Sequence, residues 1–275
     1  MCLDSSVQRI VTAELDLELA GSVDLIFSLA VAPQAPVGSE VLTFAQGDRR
    51  YTPIEILDPS GARLHRIQAG AGQRTVRYRA ELEGYGTAPS TTALEPITYL
   101  RPSRYCQSDE VFGQARRQFT GLSGHDLVAA VTRFVEQSVT YSPGLSLGTD
   151  SAVTTLMTGQ GVCRDYAHVV IALLRAMDIP ARYAACYAPG LRPMDFHAVA
   201  EAYLDGEWYV IDATRLANRH SLVRIATGRD AADCAFLSFH GANVSMPHLL
   251  VNAVMGDDAE AEVVTDDFTS LVSIA

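Results

Sequence analysis

Apolar and polar residues alternate along the first third of the chain, which is the pattern of half-buried β-strands. The alternation is clearest in RIVTAELDLEL, SVDLIFSLAVA, EVLTFA and QRTVRYRAEL, and the turn signals DPSG and GAGQ interrupt it. A stretch rich in Pro, Ser and Thr, from Tyr85 to Cys106, then indicates a linker or an extended crossover. We therefore predict an N-terminal antiparallel β-sandwich domain within residues 1–100, which include part of this linker.

In residues 101–275 the apolar positions first recur with a helical period. The segment 125–139 (HDLVAAVTRFVEQSV) predicts an amphipathic helix, and Ser123 is its candidate N-cap. A second helix is predicted from Cys163 to Met177, where the sequence DIP ends it. The strand-like segments ARYAACYA, FHAVAEAYL and EWYVIDAT follow. Helices followed by strands indicate a second domain of the α+β class.

Composition and charge restrict the classes of function. The chain has 275 residues, 48% of them hydrophobic, and a formal net charge of −11. No basic stripe is present, so we expect no nucleic-acid partner. There is no basic leader followed by an apolar run, and no uncharged apolar stretch of about 18 residues. We therefore expect a cytoplasmic protein that does not bind membranes.

The five cysteines are widely spaced, odd in number and without a CxxC pair. This spacing argues against a disulfide framework and against a structural zinc site. The acidic residues form no EF-hand loop, so calcium is not expected either. We expect no cofactor and no metal. With disulfides and metal binding set aside, the cysteines can serve in core packing or in thiol chemistry.

Cys163 stands out because it follows a glycine-rich turn and begins the second predicted helix. Gly159 and Gly161 would allow the backbone to approach a substrate. A helix N-terminus carries unpaired N–H groups and a partial positive charge, which favour a thiolate and can hold an oxyanion. The alternative is that Cys163 is an inert core residue, as free cysteines commonly are.

A predicted β-hairpin supplies partners for this thiol. Asp205 and Gly206 between two apolar runs predict a two-residue turn. With that turn, His197 and Asp212 lie on the same face as diagonal neighbours, so the carboxylate can orient the imidazole. A slip of one residue would put them on opposite faces. With Cys163, the two side chains form a candidate Cys-His-Asp triad.

With these three residues, the chain resembles the transglutaminase-like superfamily in its bacterial branch. The resemblance rests on GQGVCRDYAHVVIALLRAMDIPARYAACY, FHAVAEAYLDGEWYVIDAT, the Y-x-P-G at Tyr141 to Gly144, and LVRIATGRDAADCAF, and it covers about residues 95–250. It implies a papain-like core preceded by a β domain. It also implies acyl transfer, with Cys163 as nucleophile, His197 as proton carrier and Asp212 as its orienting acid.

The resemblance leaves the oxyanion donors open apart from the Cys163 backbone N–H. Animal members of the family have a tryptophan upstream of the cysteine, whereas the single tryptophan here, Trp208, lies downstream. Tyr141 is the candidate substitute. Arg164, Asp165 and Trp208 are further candidates for the oxyanion site or the cleft, although Trp208 and the facing Tyr203 also suit core packing.

Because the upstream tryptophan is absent, we expect hydrolysis of a peptide or amide bond in a peptide or protein substrate. An amine-acceptor protein-glutamine transglutaminase is the first alternative. A non-catalytic scaffold whose β domain binds a protein is the second. The sequence does not indicate the oligomeric state.

Overall fold

Two β-sheets and a mixed helix-and-sheet core make up the protein, which a computed structural model describes for residues 7–88, 90–256 and 266–275. Cys2 therefore lies outside the described residues. The strands of the N-terminal region are β1 (Gln8–Leu19), β2 (Val23–Phe27), β3 (Val37–Gln46), β4 (Arg49–Tyr51), β5 (Ile54–Leu57), β6 (Arg63–Ala69) and β7 (Gly72–Glu83).

The second region contains five helices among the described residues. They are α1 (Leu94–Thr98), α2 (Phe112–Gln118), α3 (Gly124–Ser138), α4 (Ala152–Thr158) and α5 (Cys163–Ala176). The strands that follow β7 are β8 (Thr140–Tyr141), β9 (Gln160–Gly161), β10 (Ala181–Tyr187), β11 (His197–Leu204), β12 (Glu207–Ile211), β13 (Val223–Gly228), β14 (Leu237–Gly241) and β15 (Val244–Met255).

The N-terminal sheets confirm the predicted sandwich. Their strand orders are β15-β1-β7-β3-β4 and β14-β2-β6-β5, and every pairing in them is antiparallel. Phe27 on β2 packs against Phe44 on β3 across the two sheets, with ring centroids 5.1 Å apart. Strands β4, β5 and β6 were not predicted: β4 and β5 are short, β5 is exposed at all four positions, and β6 has a single fully buried residue, so burial imposes no clear alternation on them.

The predicted division at residue 100 does not match the strand pairing. β14 pairs with β2 and β15 pairs with β1, so residues 237–255 belong to the N-terminal sheets, not to the 101–275 unit. The physical reason is that β1 and β2 each need a partner on their open side, and the pairing that satisfies them comes from far along the chain. No local pattern identifies which strand that is.

Helix α5 lies at the centre of the second region. Its predicted span ends one residue later than the observed one, and the predicted helix over 125–139 matches α3 within a residue. Ser123 has the extended backbone of an N-cap, but its side chain makes no capping hydrogen bond. Twelve of the fourteen residues of α5 are buried, because α2, α3, α4 and the sheet surround it. The helix is therefore enclosed by the core, and its partly exposed residues lie in its first turn.

The core sheet has the order β12-β11-β10-β13, all antiparallel, and contains the predicted hairpin. Tyr203 lies opposite Trp208, as the two-residue turn requires. Asp205 and Gly206 have φ angles of 51° and 91°, the positive values of a type I′ turn. The predicted register is confirmed. It places the residues at the open end of the hairpin on the face that the prediction gave them.

Three charged side chains are buried within this sheet. Glu201 on β11 is completely buried and accepts hydrogen bonds from Arg182 Nε at 2.7 Å and from Arg224 Nη2 at 2.6 Å. Burial alone would raise the pKa of Glu201, but the two guanidinium groups lower it to about 2. The three residues come from β10, β11 and β13, so the ion pairs join three neighbouring strands.

We expect Glu201→Gln to lower the free energy of unfolding by about 3 to 5 kcal/mol, because it removes the carboxylate partner of the buried Arg224 and leaves Arg182 with Glu95 alone. The pKa of Glu201 is depressed on folding, so its stabilisation is complete above its ordinary pKa of 4.5 and is lost as the pH falls towards about 2. In urea unfolding at a series of pH values, the free energy of unfolding should fall less steeply towards acid pH in the variant than in the wild type. Glu207→Gln, at an exposed position of the same hairpin, is the control and should change little.

Candidate active site

The first turn of α5 is fixed by a buried carboxylate. Asp165, at the third position of the helix, has no exposed surface, and its Oδ2 accepts a hydrogen bond from the Val162 backbone N–H at 2.8 Å. A Cβ on Gly161 would come within 2.6 Å of the Asp165 Cβ, so only glycine fits there. Gly159 ends α4 with a φ of 67°. The two glycines thus serve the local backbone, and their predicted role in the approach of a substrate stays a prediction.

The same carboxylate holds the segment that precedes α4. Ser146 Oγ donates to Asp165 Oδ2 at 2.6 Å, and Arg164 Nη2 donates to Asp165 Oδ1 at 2.9 Å. Arg164 Nη2 also donates to the Leu147 carbonyl at 2.6 Å. Arg164 and Asp165 are therefore engaged with each other and with this segment. These bonds, made by Nε and Nη2 of Arg164, position the residues around Cys163.

His197 and Asp212 meet at the open end of the hairpin. His197 Nε2 lies 2.8 Å from Asp212 Oδ2, and both side chains are 1% exposed. Asp212 Oδ1 accepts hydrogen bonds from the Thr214 hydroxyl at 2.6 Å and from its backbone N–H at 3.0 Å. Every carboxylate oxygen of Asp212 is thus occupied, which fixes its orientation towards the imidazole.

The chain path brings Cys163 to this pair. α5 runs antiparallel to β10, so its first residue lies at the end of the sheet where Cys186 on β10 faces His197 on β11. His197 Nδ1 has no hydrogen-bond partner among the described residues. The Cys163 thiol lies close enough to this histidine to act on its protonation. Cys163 remains partly exposed, whereas Cys106, Cys186 and Cys234 are buried, and all four are free thiols.

Electrostatics favour an imidazolium at His197. Burial lowers the pKa of His197, but the charge and hydrogen bond of Asp212, together with the Cys163 side chain, outweigh burial and raise it well above the ordinary 6.5. For the carboxyl of Asp212 burial has the opposite effect and raises the pKa. His197 and Thr214 outweigh burial and lower the pKa of Asp212 below its ordinary value. A buried carboxylate–imidazolium pair can support a thiolate beside it.

Tyr141 lies beside the N-terminus of α5. The parallel pairing of β8 with β9 sets Tyr141 opposite Gly161, two residues before Cys163, and both the backbone and the side chain of Cys163 act on the pKa of the Tyr141 hydroxyl. Burial and the neighbouring Cys163 and Asp195 raise the pKa of Tyr141 to about 12. The hydroxyl therefore keeps its proton at neutral pH and can donate it to an oxygen near Cys163.

Trp208 does not belong to this group. It is 5% exposed and packs against Tyr203 and Tyr99, with ring centroids 5.0 and 5.5 Å away, and the Arg182 guanidinium lies 4.1 Å from its ring. Trp208 is four residues before Asp212, which corresponds to roughly 13 Å along a strand. Its assignment to the cleft is therefore wrong, and the alternative of core packing agrees with its contacts.

Two residues near the site were not found from the sequence. Thr214 orients Asp212, and its signal is the spacing D-x-T, in which a hydroxyl two residues on can bond the carboxylate. Asp195 precedes His197 by two residues and influences the protonation of Tyr141. The signal for Asp195 is its spacing of two residues from His197, because alternate residues of an extended chain share a side.

Within the part of the chain that the structure describes, no group of three or more His, Cys, Asp or Glu side chains could hold a metal ion. In that same part no helix is long and apolar enough to cross a membrane.

An α+β core in which a helix-borne cysteine meets a histidine and an aspartate on adjacent strands is the architecture of papain-like proteins. A family model of the transglutaminase-like superfamily matches residues 114–213. The chain is 32% identical to a candidate cysteine protease of Cytophaga hutchinsonii, over 98% of this chain and 96% of that one, with a TM-score of 0.86. The chain belongs to the transglutaminase-like superfamily.

Two more distant similarities cover less of the molecule or fit it less closely. An uncharacterised protein of Mycobacterium leprae is 28% identical over 116 residues, which are 39% of this chain and 42% of that protein's length. The periplasmic domain of TgpA from Pseudomonas aeruginosa is 19% identical over 78% of this chain and 91% of that one, with a TM-score of 0.41.

We expect Asp212→Asn to lower the pKa of His197, because the charge that outweighs burial is removed. The imidazolium should then lose its proton at a lower pH. The rate of Cys163 alkylation, measured as a function of pH, should therefore differ most from the wild type on the alkaline side of the profile. At neutral pH we expect the rate with iodoacetamide to fall by about tenfold or more. Asp205→Asn removes the same charge at the exposed turn of the hairpin, and an equal effect there would contradict the assignment.

Proposed function

We propose that the protein is a cysteine-dependent acyl-transfer enzyme that hydrolyses a peptide or amide bond through Cys163, His197 and Asp212. The observation that carries this proposal is the buried 2.8 Å contact between His197 Nε2 and Asp212 Oδ2 beside a partly exposed thiol. A buried ion pair of this kind costs free energy to maintain unless it is fully satisfied. Here the second carboxylate oxygen is also satisfied, and one imidazole nitrogen is left for the thiol.

The reaction uses these groups in two stages. The Cys163 sulfur attacks the carbonyl carbon, and His197 gives its Nδ1 proton to the leaving amine as the carbon–nitrogen bond breaks. The product is a thioester and a free amine. A water molecule then attacks the thioester while His197 takes its proton, which releases the carboxylic acid and restores the thiolate–imidazolium pair.

The oxyanion of each tetrahedral intermediate needs donors near the Cys163 sulfur. The Cys163 backbone N–H is in the first turn of α5, where helix N–H groups have no partner within the helix. Tyr141, opposite Gly161 in the β8–β9 pair, lies beside that turn. A carbonyl oxygen that enters between the Cys163 N–H and the Tyr141 hydroxyl would receive one hydrogen bond from each.

Hydrolysis is favoured over transamidation by the comparison with the Cytophaga hutchinsonii protein, which is similar over nearly the whole chain and is named as a candidate cysteine protease. We therefore propose a peptide or protein as the substrate. For the location we propose the cytoplasm, because the four described cysteines are free and a reducing compartment preserves a reactive thiol.

We expect the wild type to cleave members of a fluorogenic peptide library and Cys163→Ala to cleave none. His197→Ala should reduce both cleavage and neutral-pH labelling of Cys163 by a thiol-reactive amide by about 100-fold or more, since the base and counter-charge are both lost. His248→Ala, at an exposed position on β15, is the matched control. Equal labelling of wild type and His197→Ala would overturn the proposal, and amine incorporation in place of cleavage would favour transamidation.

Tyr141→Phe separates oxyanion stabilisation from thiol activation. Loss of one oxyanion donor typically costs about 100-fold or more in kcat, so peptide cleavage should fall to that extent. Alkylation by iodoacetamide forms no oxyanion at the carbon attacked, so its rate should change less than about threefold. Tyr51→Phe, whose hydroxyl bonds Gln46 in the N-terminal sheet, is the control. Parallel losses in both assays would contradict the role of Tyr141.

A further inference from the structure

The segment that leads into β11 is anchored by an aromatic side chain. Phe196 stacks on Phe236 with ring centroids 5.1 Å apart and packs against Tyr187 at 5.5 Å. Phe196 and Met194 are both half-buried against the core. These contacts fix which side of the extended chain faces inward at positions 194 and 196.

Asp195 lies between these two anchors and is exposed. Asp195 precedes His197, the first residue of β11, by two positions, so their Cα atoms are at most roughly 7 Å apart. Its Oδ1 accepts a hydrogen bond from the Phe196 backbone N–H at 2.7 Å, which limits the positions of the carboxylate. Asp195 is thus an oriented acidic group at the open side of the site.

The charge of Asp195 is not neutralised by an ion pair within residues 7–88, 90–256 and 266–275. Arg164 is bound to Asp165, and Arg192 is exposed and has no carboxylate within 4.0 Å in the same part of the chain. Partial burial raises the pKa of the Asp195 carboxyl, although the Phe196 N–H and the charge of His197 act in the opposite direction, and Asp195 in turn raises the pKa of Tyr141. An exposed carboxylate two residues before His197, held by the Phe196 N–H, is therefore a charge at the edge of the site.

We propose that Asp195 is a specificity-determining residue that selects substrates with a cationic group, such as a lysine or arginine side chain or a terminal ammonium, next to the reacting carbonyl. This inference rests on the proposed acyl transfer at Cys163, because it concerns the choice of substrate at that site. A carboxylate at this distance attracts a cation and repels an anion, and salt screens both effects. Asp195 does not itself take part in bond making.

The charge in front of Cys163 can be measured without a known substrate. Methanethiosulfonates react with a thiolate to form a mixed disulfide and release methanesulfinate, and they exist with cationic 2-aminoethyl and anionic 2-sulfonatoethyl groups. The rate of each is measured on the full chain at about pH 8, where carboxyl groups are ionised. Digestion and mass spectrometry assign the modification to Cys163. The thiolate fraction of Cys163 cancels in the cationic-to-anionic ratio, and division by the ratio for a small free thiol removes the difference in intrinsic reactivity between the two reagents.

We expect the normalised ratio in the wild type to exceed about 5 and to fall by about three- to tenfold in Asp195→Asn. Asp195→Glu should retain the ratio, because the charge stays. Asp48→Asn removes the same charge in the turn between β3 and β4, so it controls for the net charge of −11 and should leave the ratio unchanged. Raising the salt concentration should reduce the wild-type ratio.

An unchanged ratio in Asp195→Asn, or an equal fall in Asp48→Asn, would overturn the inference. The result is independent of the proposed function, because disulfide formation requires no acyl transfer. A ratio that depends on Asp195 in a protein that cleaves no peptide would support the charge assignment and count against the enzyme. Where cleavage is found, the preference for lysine over glutamate next to the cleaved bond should fall in Asp195→Asn by a similar factor.

Discussion

The buried carboxylate of Asp165 is the constraint on which the geometry of the site depends. It satisfies the Val162 N–H at the start of α5 and accepts the Ser146 hydroxyl from the segment before α4. A carboxylate with no exposed surface is tolerated only when its oxygens are bonded, so the three parts of the chain are held in one arrangement. Gly161 is required because any side chain there would occupy the space of Asp165. Cys163 is thereby presented at a fixed helix terminus.

The second half of the site is set by the sheet. His197 begins β11, and Glu201, four residues further along that strand, is bound by Arg182 and Arg224 from the strands on one side of it. A slip of β11 by one residue would move Glu201 to the other face, take its carboxylate from the buried Arg224 and leave Arg182 with Glu95 alone. The register that serves the ion pairs is therefore also the register that places His197 next to Cys186 and near α5.

Sequence reasoning was most successful where the determining interactions are local. The turn at Asp205 and Gly206 fixed the hairpin register, and with it the meeting of His197 and Asp212. The pairing of β14 and β15 with the first strands was not predictable, because it joins residues more than 200 positions apart with no distinctive local pattern. The roles of Asp165 and Trp208 depend on neighbours from distant segments, and period and propensity carry no information about those neighbours.

The site itself has one part that is set by local interactions, on the hairpin, and another part that is set by contacts between distant segments, on α5. His197, Asp212 and Thr214 lie on one hairpin, so their mutual orientation requires only a turn and two strands. Cys163 comes from a helix held by Asp165, and the two halves meet because α5 packs along β10 and β11. A small shift of α5 along the sheet would alter the distance from thiol to imidazole without disturbing the His197–Asp212 contact. The dense burial of α5, with only its first turn partly exposed, opposes that shift because displaced core side chains lose close packing.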